Sequence, residues 1–443
     1  MRTCWPARLA ALCVMLMGVG ATAHQARAQS GDPAATIDSV AAARTPAPAA
    51  DRPKDSCLDC HRTLEDKRLS VPTRDFAQDI HAVRGLGCVA CHGGNPADPE
   101  MSAMDPERGF KPAPAKKDIA ELCASCHANA EYMKHYNPQP YIFSMAEFRT
   151  SVHCKRIEEG DPLVATCTNC HGVHGILPHR DPRSPVHAKN VPFTCAKCHN
   201  AEYLKGRKVR TDQLALYRES VHGRALLEKG DLSAPACNDC HGNHGARPPE
   251  TRDISLVCGN CHGREGELFA QSKLKATLEF EGKRGCVTCH DNHAVKRPTD
   301  AMIGMEGEGV CGRCHAPDSP GARATAVIVP GFHAFKAEIA RADSLLTVAD
   351  RLGMETVSGR ELLKQASDQL VGLRAEIHSF ALEPIQAALA EGVGLAGRAE
   401  TEARSALRDW RNRRIGMALS LVVILALIGL LVARIRRMER PAA

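Results

Sequence analysis

Large aromatic side chains are scarce: Phe, Trp and Tyr make up 4% of the 443 residues, and the two tryptophans, Trp5 and Trp410, lie near the ends. The middle of the chain must therefore take its buried apolar surface from something other than large side chains. Charge of one sign is not in excess either. The formal net charge is +6, and Arg2, Arg8 and Arg27 of an N-terminal leader account for half of it, so nothing argues for nucleic acid. Long apolar runs occur at two places only, one at each terminus. Of 21 cysteines, just three, Cys4, Cys13 and Cys154, fall outside a single recurring pattern.

That pattern is CxxCH, and it occurs nine times. The cysteine pairs are Cys57 and Cys60, Cys88 and Cys91, Cys123 and Cys126, Cys167 and Cys170, Cys195 and Cys198, Cys237 and Cys240, Cys258 and Cys261, Cys286 and Cys289, and Cys311 and Cys314. Each is followed at once by a histidine: His61, His92, His127, His171, His199, His241, His262, His290 and His315. In c-type haem attachment two thiols at this spacing add across the two vinyl groups of one porphyrin, and the next residue becomes the proximal iron ligand. Paired CxxC also serves zinc, and many cysteines in an exported chain can form disulfides. Neither chemistry demands His after every second Cys, so nine covalently bound haem c groups are expected. Cys4 and Cys13 belong to the leader, and Cys154 reads as a structural thiol.

Arg2 and Arg8 precede an apolar run from Leu9 to Val19, and Ala26-Arg27-Ala28 offers the small-x-small pattern of signal-peptidase cleavage. Residues 1–28 read as a signal peptide, and 29–55, rich in Ala and Pro, as a flexible linker. At the other end, residues 415–433 form an uncharged run of 19 residues, enough to span a bilayer as a helix. Arg411, Arg413 and Arg414 flank it on one side and Arg434, Arg436, Arg437 and Arg440 on the other, with Trp410 at the interface. The expected topology puts the haem region in the bacterial periplasm and the basic tail, 434–443, in the cytoplasm. The span holds no His and cannot ligate a haem.

The haem-bearing domain, assigned to 56–320, has one motif for about every 29 residues between Cys57 and His315. So little peptide per cofactor implies that porphyrins supply much of the core and that the apoprotein is largely unfolded. Gly, Pro, Asn and Asp between motifs predict short helices and loops with little sheet. An internal repeat of about 70 residues is visible: "CASCHANAEYMK" with "CAKCHNAEYLK", "FRTSVHCKRIEEGD" with "YRESVHGRALLEKGD", and "CTNCHGVHG" with "CNDCHGNHG". A weaker third copy runs from "CGNCH" through "CVTCHDNH". Residues 330–412, with apolar residues such as Ile339, Leu346, Leu363, Leu370 and Leu373 at helical spacing, read as a helical stalk with a break at Gly392, Gly394 and Gly397. The fold class is thus mainly α with extensive loops, organised by stacked haems, with a stalk and one transmembrane helix.

Whether each iron is closed by a second protein ligand decides between electron transfer and chemistry on a substrate. His174, His244 and His293 each lie three residues beyond a proximal His, too close to reach round the same porphyrin, so they must serve a neighbouring haem. His153 and His222 in the repeated "SVH", and His81, are the next distal ligands expected. His135, His179, His187, His333, His378, Met104 and Met133 remain open as further ligands. In the third copy, Leu274 of "QSKLK" stands where a distal His is expected; the haem so deprived would recruit His333 or His378, or stay open.

On "DIHAVRGLGCVACHGG", "SVHGRALLEKGDLSAPACNDCHGNHGA", "GCVTCHDNH" and the basic-flanked C-terminal span, the chain resembles membrane-anchored periplasmic multihaem cytochromes with doubled CxxCH motifs, related to the cytochrome c3 class. The resemblance implies an electron-transfer subunit of respiration. It would pass electrons between a membrane cytochrome b or other quinol-oxidising subunit and a periplasmic redox partner. The alternative is a multihaem reductase of nitrite, hydroxylamine or a sulfur oxyanion with one open iron. The CxxCK that often marks the catalytic haem of nitrite reductases does not occur here, so no catalytic residue is assigned.

Overall fold

The computed structural model describes residues 55–249 and 254–439; the leader, the linker up to residue 54 and the last four residues lie outside them. Among the described residues there is no strand. The haem-bearing part consists of short helices joined by turns. Helical turns over Ser56–His61, Ile119–His127, Cys167–His171 and Cys237–His241 each carry one full motif. This is what the spacing demands: residues three and four apart share a helix face, so both thiols and the histidine point the same way.

A second set of short helices begins one residue before His81, His153, His222 and Leu274. They are α1 (Ile80–Val83), α2 (Val152–Glu158), α3 (Val221–Gly223) and α4 (Lys273–Phe280). Their N-cap residues Asp79, Ser151, Ser220 and Ser272 each accept a backbone N–H of the first turn. Asp79, Ser151 and Ser220 are fully buried. Conventional cores here are small, one around Phe148 and Cys154 and another around Tyr217 and Leu226. Cys154 is buried in the first, as a structural thiol would be.

The remainder is a three-helix bundle of α5 (Pro320–Arg351), α6 (Val357–Glu376) and the 57-residue α7 (Leu382–Met438). The first helix starts at Pro320, ahead of the stalk boundary read from the sequence. Gly331 lies against Leu389, Phe335 against Gly392, and Leu346 and Glu402 flank Gly359, so α5 and α7 run parallel and α6 returns between them. Phe335, Leu346, Leu373 and Ile385 are fully buried at the seams, each worth about 1.5–3 kcal/mol. The expected break at Gly392, Gly394 and Gly397 does not occur: α7 runs through all three. Gly392 serves packing instead, giving room to the Phe335 ring, and the tertiary contact outweighs glycine's weak helix preference.

Asp300 pairs with Lys336 at 2.8 Å and Arg374 at 3.0 Å, and Arg264 with Glu376 at 3.3 Å, joining the haem-bearing part to one end of the bundle. The last buried residue of α7 is Ala403; beyond Trp410 the helix is exposed throughout. It contains the expected apolar run, with a mean hydropathy of 2.9 and no burial, and Arg414 stacks over Trp410 at 4.8 Å. The helix is long and apolar enough to cross a membrane, which suggests an anchor.

Candidate haem centres

Seven of the nine proximal histidines face a second imidazole across a gap. His127 faces His81 with ring centres 5.9 Å apart, His92 faces His174 at 6.3 Å, and His199 faces His153 at 6.4 Å. His171 faces His244 at 6.2 Å, His262 faces His222 at 6.3 Å, and His241 faces His293 at 5.9 Å. His290 faces His378 at 6.0 Å. An iron held from both sides by ring nitrogens at about 2 Å puts the ring centres about 6 Å apart, so these gaps fit a bis-histidine haem iron.

The pairing follows a rule. A histidine at the second position of a capped helix, His81, His153 or His222, meets the proximal His of the motif after next to it: the third, fifth or seventh. Each tail histidine, His174, His244 or His293, meets the proximal His two motifs back: the second, fourth or sixth. The two types are joined by backbone. Ile80, Val152 and Val221, which open α1, α2 and α3, donate their N–H to the carbonyls of Ile176, Ala246 and Val295, each two residues after a tail histidine. No later copy exists to supply the eighth motif, and His378, at the top of the bundle between α6 and α7, takes that place. Sequence reasoning left His378 open because it stands outside the repeat.

The chain leaves the even-numbered motifs through an unusual backbone. Gly93, Gly172 and Gly242 follow the second, fourth and sixth motifs with φ of 64°, 89° and 83° and extended ψ, a region essentially reserved for glycine. After the eighth motif the same conformation is taken by Asp291, at φ 68° and ψ −177°.

Ring orientation is fixed by hydrogen bonds at Nδ1, which leaves Nε2 for iron. His92, His241 and His378 are held by the carbonyls of Lys111 (3.1 Å), Arg247 (3.1 Å) and Ala375 (3.0 Å). His81 is held by the carboxylate of Asp79 at 2.9 Å, and that carboxylate also accepts the N–H of Ile176 at 2.7 Å. Burial works against the charge of Asp79, but the hydrogen bonds from His81 and Ile176 outweigh it and keep the carboxyl below its usual range. Burial lowers the basicity of His127, His153, His171, His174, His199, His222, His244, His290 and His293, favouring the neutral ring that a metal requires.

The thiols show how the motifs adjoin. Cys123 lies beside Cys167, Cys195 beside Cys237 and Cys258 beside Cys286, and this proximity lowers Cys167 to about 7 and Cys286 to about 6. Cys57 lies close enough to Cys88 for their charges to interact. Second cysteines link the pairs in turn: Cys91 is near Cys126, Cys170 near Cys195, Cys240 near Cys261, and Cys289 near Cys311. Spatial order therefore follows chain order from the first motif to the ninth. In a haem-loaded chain these sulfurs are thioethers and no longer titrate.

The other expected histidines face no proximal imidazole. His135, His179 and His333 are exposed. His187 is buried, its Nδ1 accepting the N–H of Lys189 at 3.4 Å. Among the described residues no second imidazole stands opposite His61 or His315. What sequence reasoning missed was the set of cap residues Asp79, Ser151 and Ser220; the repeated Ser two places before His was the signal.

Two comparisons with protein families agree with this geometry. Residues 229–316 match the cytochrome c3 model and residues 81–132 the model of the doubled CXXCH motif. No curated protein and no solved structure matches.

Proposed function

We propose that this multihaem c-type cytochrome is a wire of nine haems, carried outside the cytoplasmic membrane and tethered to it by α7. Haem c domains of this kind transfer electrons. Each haem, once bound, cycles its iron between ferrous and ferric states; the protein's part is to hold ligands and spacing fixed so that little rearranges. The observation that carries the reading is the unbroken chain of neighbouring thiols from Cys57 to Cys311 beside seven opposed imidazole pairs.

The wire would run between a quinol-oxidising membrane partner, of which a cytochrome b subunit is one kind, and a periplasmic acceptor. The stalk adds a condition. From Leu382 to Ile415 α7 is continuous, about 50 Å of helix at 1.5 Å per residue, and His378 lies at its far end from the span. Haems buried in the bilayer could not reach the eighth haem directly, so the partner needs a redox group that projects up the stalk.

The test is to isolate membranes containing the full chain with its partner, add a quinol, and follow the ferrous c-haem bands. Rapid reduction, lost when the chain is cut after Trp410, is the expected result. Reduction by strong chemical reductants alone would count against the quinol link, and turnover of nitrite or hydroxylamine by the purified chain would favour the reductase alternative.

A further inference from the structure

The ligand rule described above has a vacant term. His81, His153 and His222 precede their proximal partners His127, His199 and His262 by 46, 46 and 40 residues. The next position in this series is Leu274, 41 residues before His315. It occupies the same place in its helix. Ser272 caps α4 by accepting the N–H of Lys275, as Ser151 does for Cys154 and Ser220 for Gly223, and Leu274, like His153 and His222, is the second residue of its helix. The eighth and ninth motifs adjoin through Cys289 and Cys311 as the second and third do through Cys91 and Cys126.

The stalk histidines do not fill the place. His378 faces His290, and His333 is exposed on α5, well down that helix from His315. The amine of Lys283 lies 3.7 Å from the sulfur of Cys314 but is ion-paired to Glu281 at 2.6 Å. On its own side, the ring of His315 lies against Gly321, where any Cβ would come within about 2.5 Å of it, so glycine there leaves the ring its place.

We propose that the haem attached at Cys311 and Cys314 has a free coordination position beneath Leu274 and binds small neutral diatomic ligands of the carbon monoxide and nitric oxide type. An isobutyl side chain offers iron no lone pair and offers a bound ligand no hydrogen bond, so neutral, π-accepting molecules are favoured over anions. The site would end the wire where the bundle begins. This goes beyond the electron-transfer reading and does not depend on the identity of either partner.

The experiment is titration of the dithionite-reduced, full-length, haem-loaded protein with carbon monoxide, read by the shift of the Soret band, with a ferric spin count beside it. Leu274→His restores the missing term and is expected to remove one equivalent of carbon monoxide binding and one high-spin ferric iron per chain. Leu274→Met, close in volume to the original side chain, closes the iron with a thioether and gives the same loss should the histidine variant fold poorly. Parent protein that binds no carbon monoxide, or binding that neither substitution reduces, overturns the proposal.

Discussion

His81 Nδ1 donates to the carboxylate of Asp79 at 2.9 Å, and this is the one distal imidazole whose hydrogen-bond partner is an acidic side chain that also caps its helix. A carboxylate there makes the ring a stronger donor to iron, which stabilises ferric iron and lowers the potential. Asp79→Asn is therefore expected to raise the potential of one haem, the third, and to weaken its distal bond about 10–100-fold. It should cost about 1–3 kcal/mol, because the amide cannot accept both His81 and Ile176 donors. Asp79→Ser, which copies the caps at Ser151 and Ser220, should raise the potential likewise and at a similar cost, because a single hydroxyl also cannot accept both donors. Spectropotentiometric titration checks this, and an unchanged set of potentials would contradict it.

Axial ring planes fall into two classes. At the second, fourth, sixth and eighth motifs the opposed imidazoles are nearly parallel, 20°, 18°, 16° and 22° apart. At the third, fifth and seventh they are crossed, at 82°, 72° and 50°. Parallel planes split the iron orbitals that π-bond to imidazole; crossed planes leave them nearly equal in energy. Paramagnetic resonance of the ferric protein should accordingly show two low-spin populations, ordinary rhombic and strongly anisotropic, in a ratio of four to three. A single rhombic population would be inconsistent with the ring geometry.

Asp291 holds a backbone conformation that glycine takes at the equivalent places after the second, fourth and sixth motifs. A non-glycine residue there costs on the order of 1–3 kcal/mol. Asp291→Gly is expected to stabilise the haem-loaded protein by up to that amount, visible as a higher melting temperature in calorimetry, with the His241–His293 iron still low-spin. A loss of stability would mean that the hydrogen bond from the N–H of Asn292 to the Asp291 side chain outweighs the strain.

Much of this was legible in the residues because attachment chemistry is local. Two thiols and a histidine in five positions declare a haem without any tertiary information, and the "SVH" and "HxxH" repeats flag five distal histidines. Which iron each serves was not legible, since it depends on how neighbouring copies dock through backbone bonds such as Val152 to Ala246. His378 was open for the same reason: its role follows from where the bundle sits against the eighth motif. Gly392 misled because glycine in a helical pattern is locally a breaker, and only the distant Phe335 explains it.

That contact gives a prediction in which neighbouring glycines behave oppositely. A Cβ built on Gly392 would lie 2.3 Å from the Phe335 ring, which is wholly buried between α5 and α7, whereas one on Gly394 meets nothing within 4 Å. Intrinsic helix preference alone would make both Gly→Ala changes stabilising by about 0.8–1 kcal/mol. Overpacking reverses the sign at the first: Gly392→Ala is expected to destabilise the bundle by about 1–3 kcal/mol, since Phe335 has no space to yield. Gly394→Ala should stabilise by close to the full helix term. Thermal unfolding of the detergent-solubilised, haem-loaded protein, followed by far-ultraviolet circular dichroism, separates the two. Equal shifts in the same direction would show that Gly392 is tolerated in α7 and not required there, and that α5 and α7 are less closely packed than their buried seam indicates.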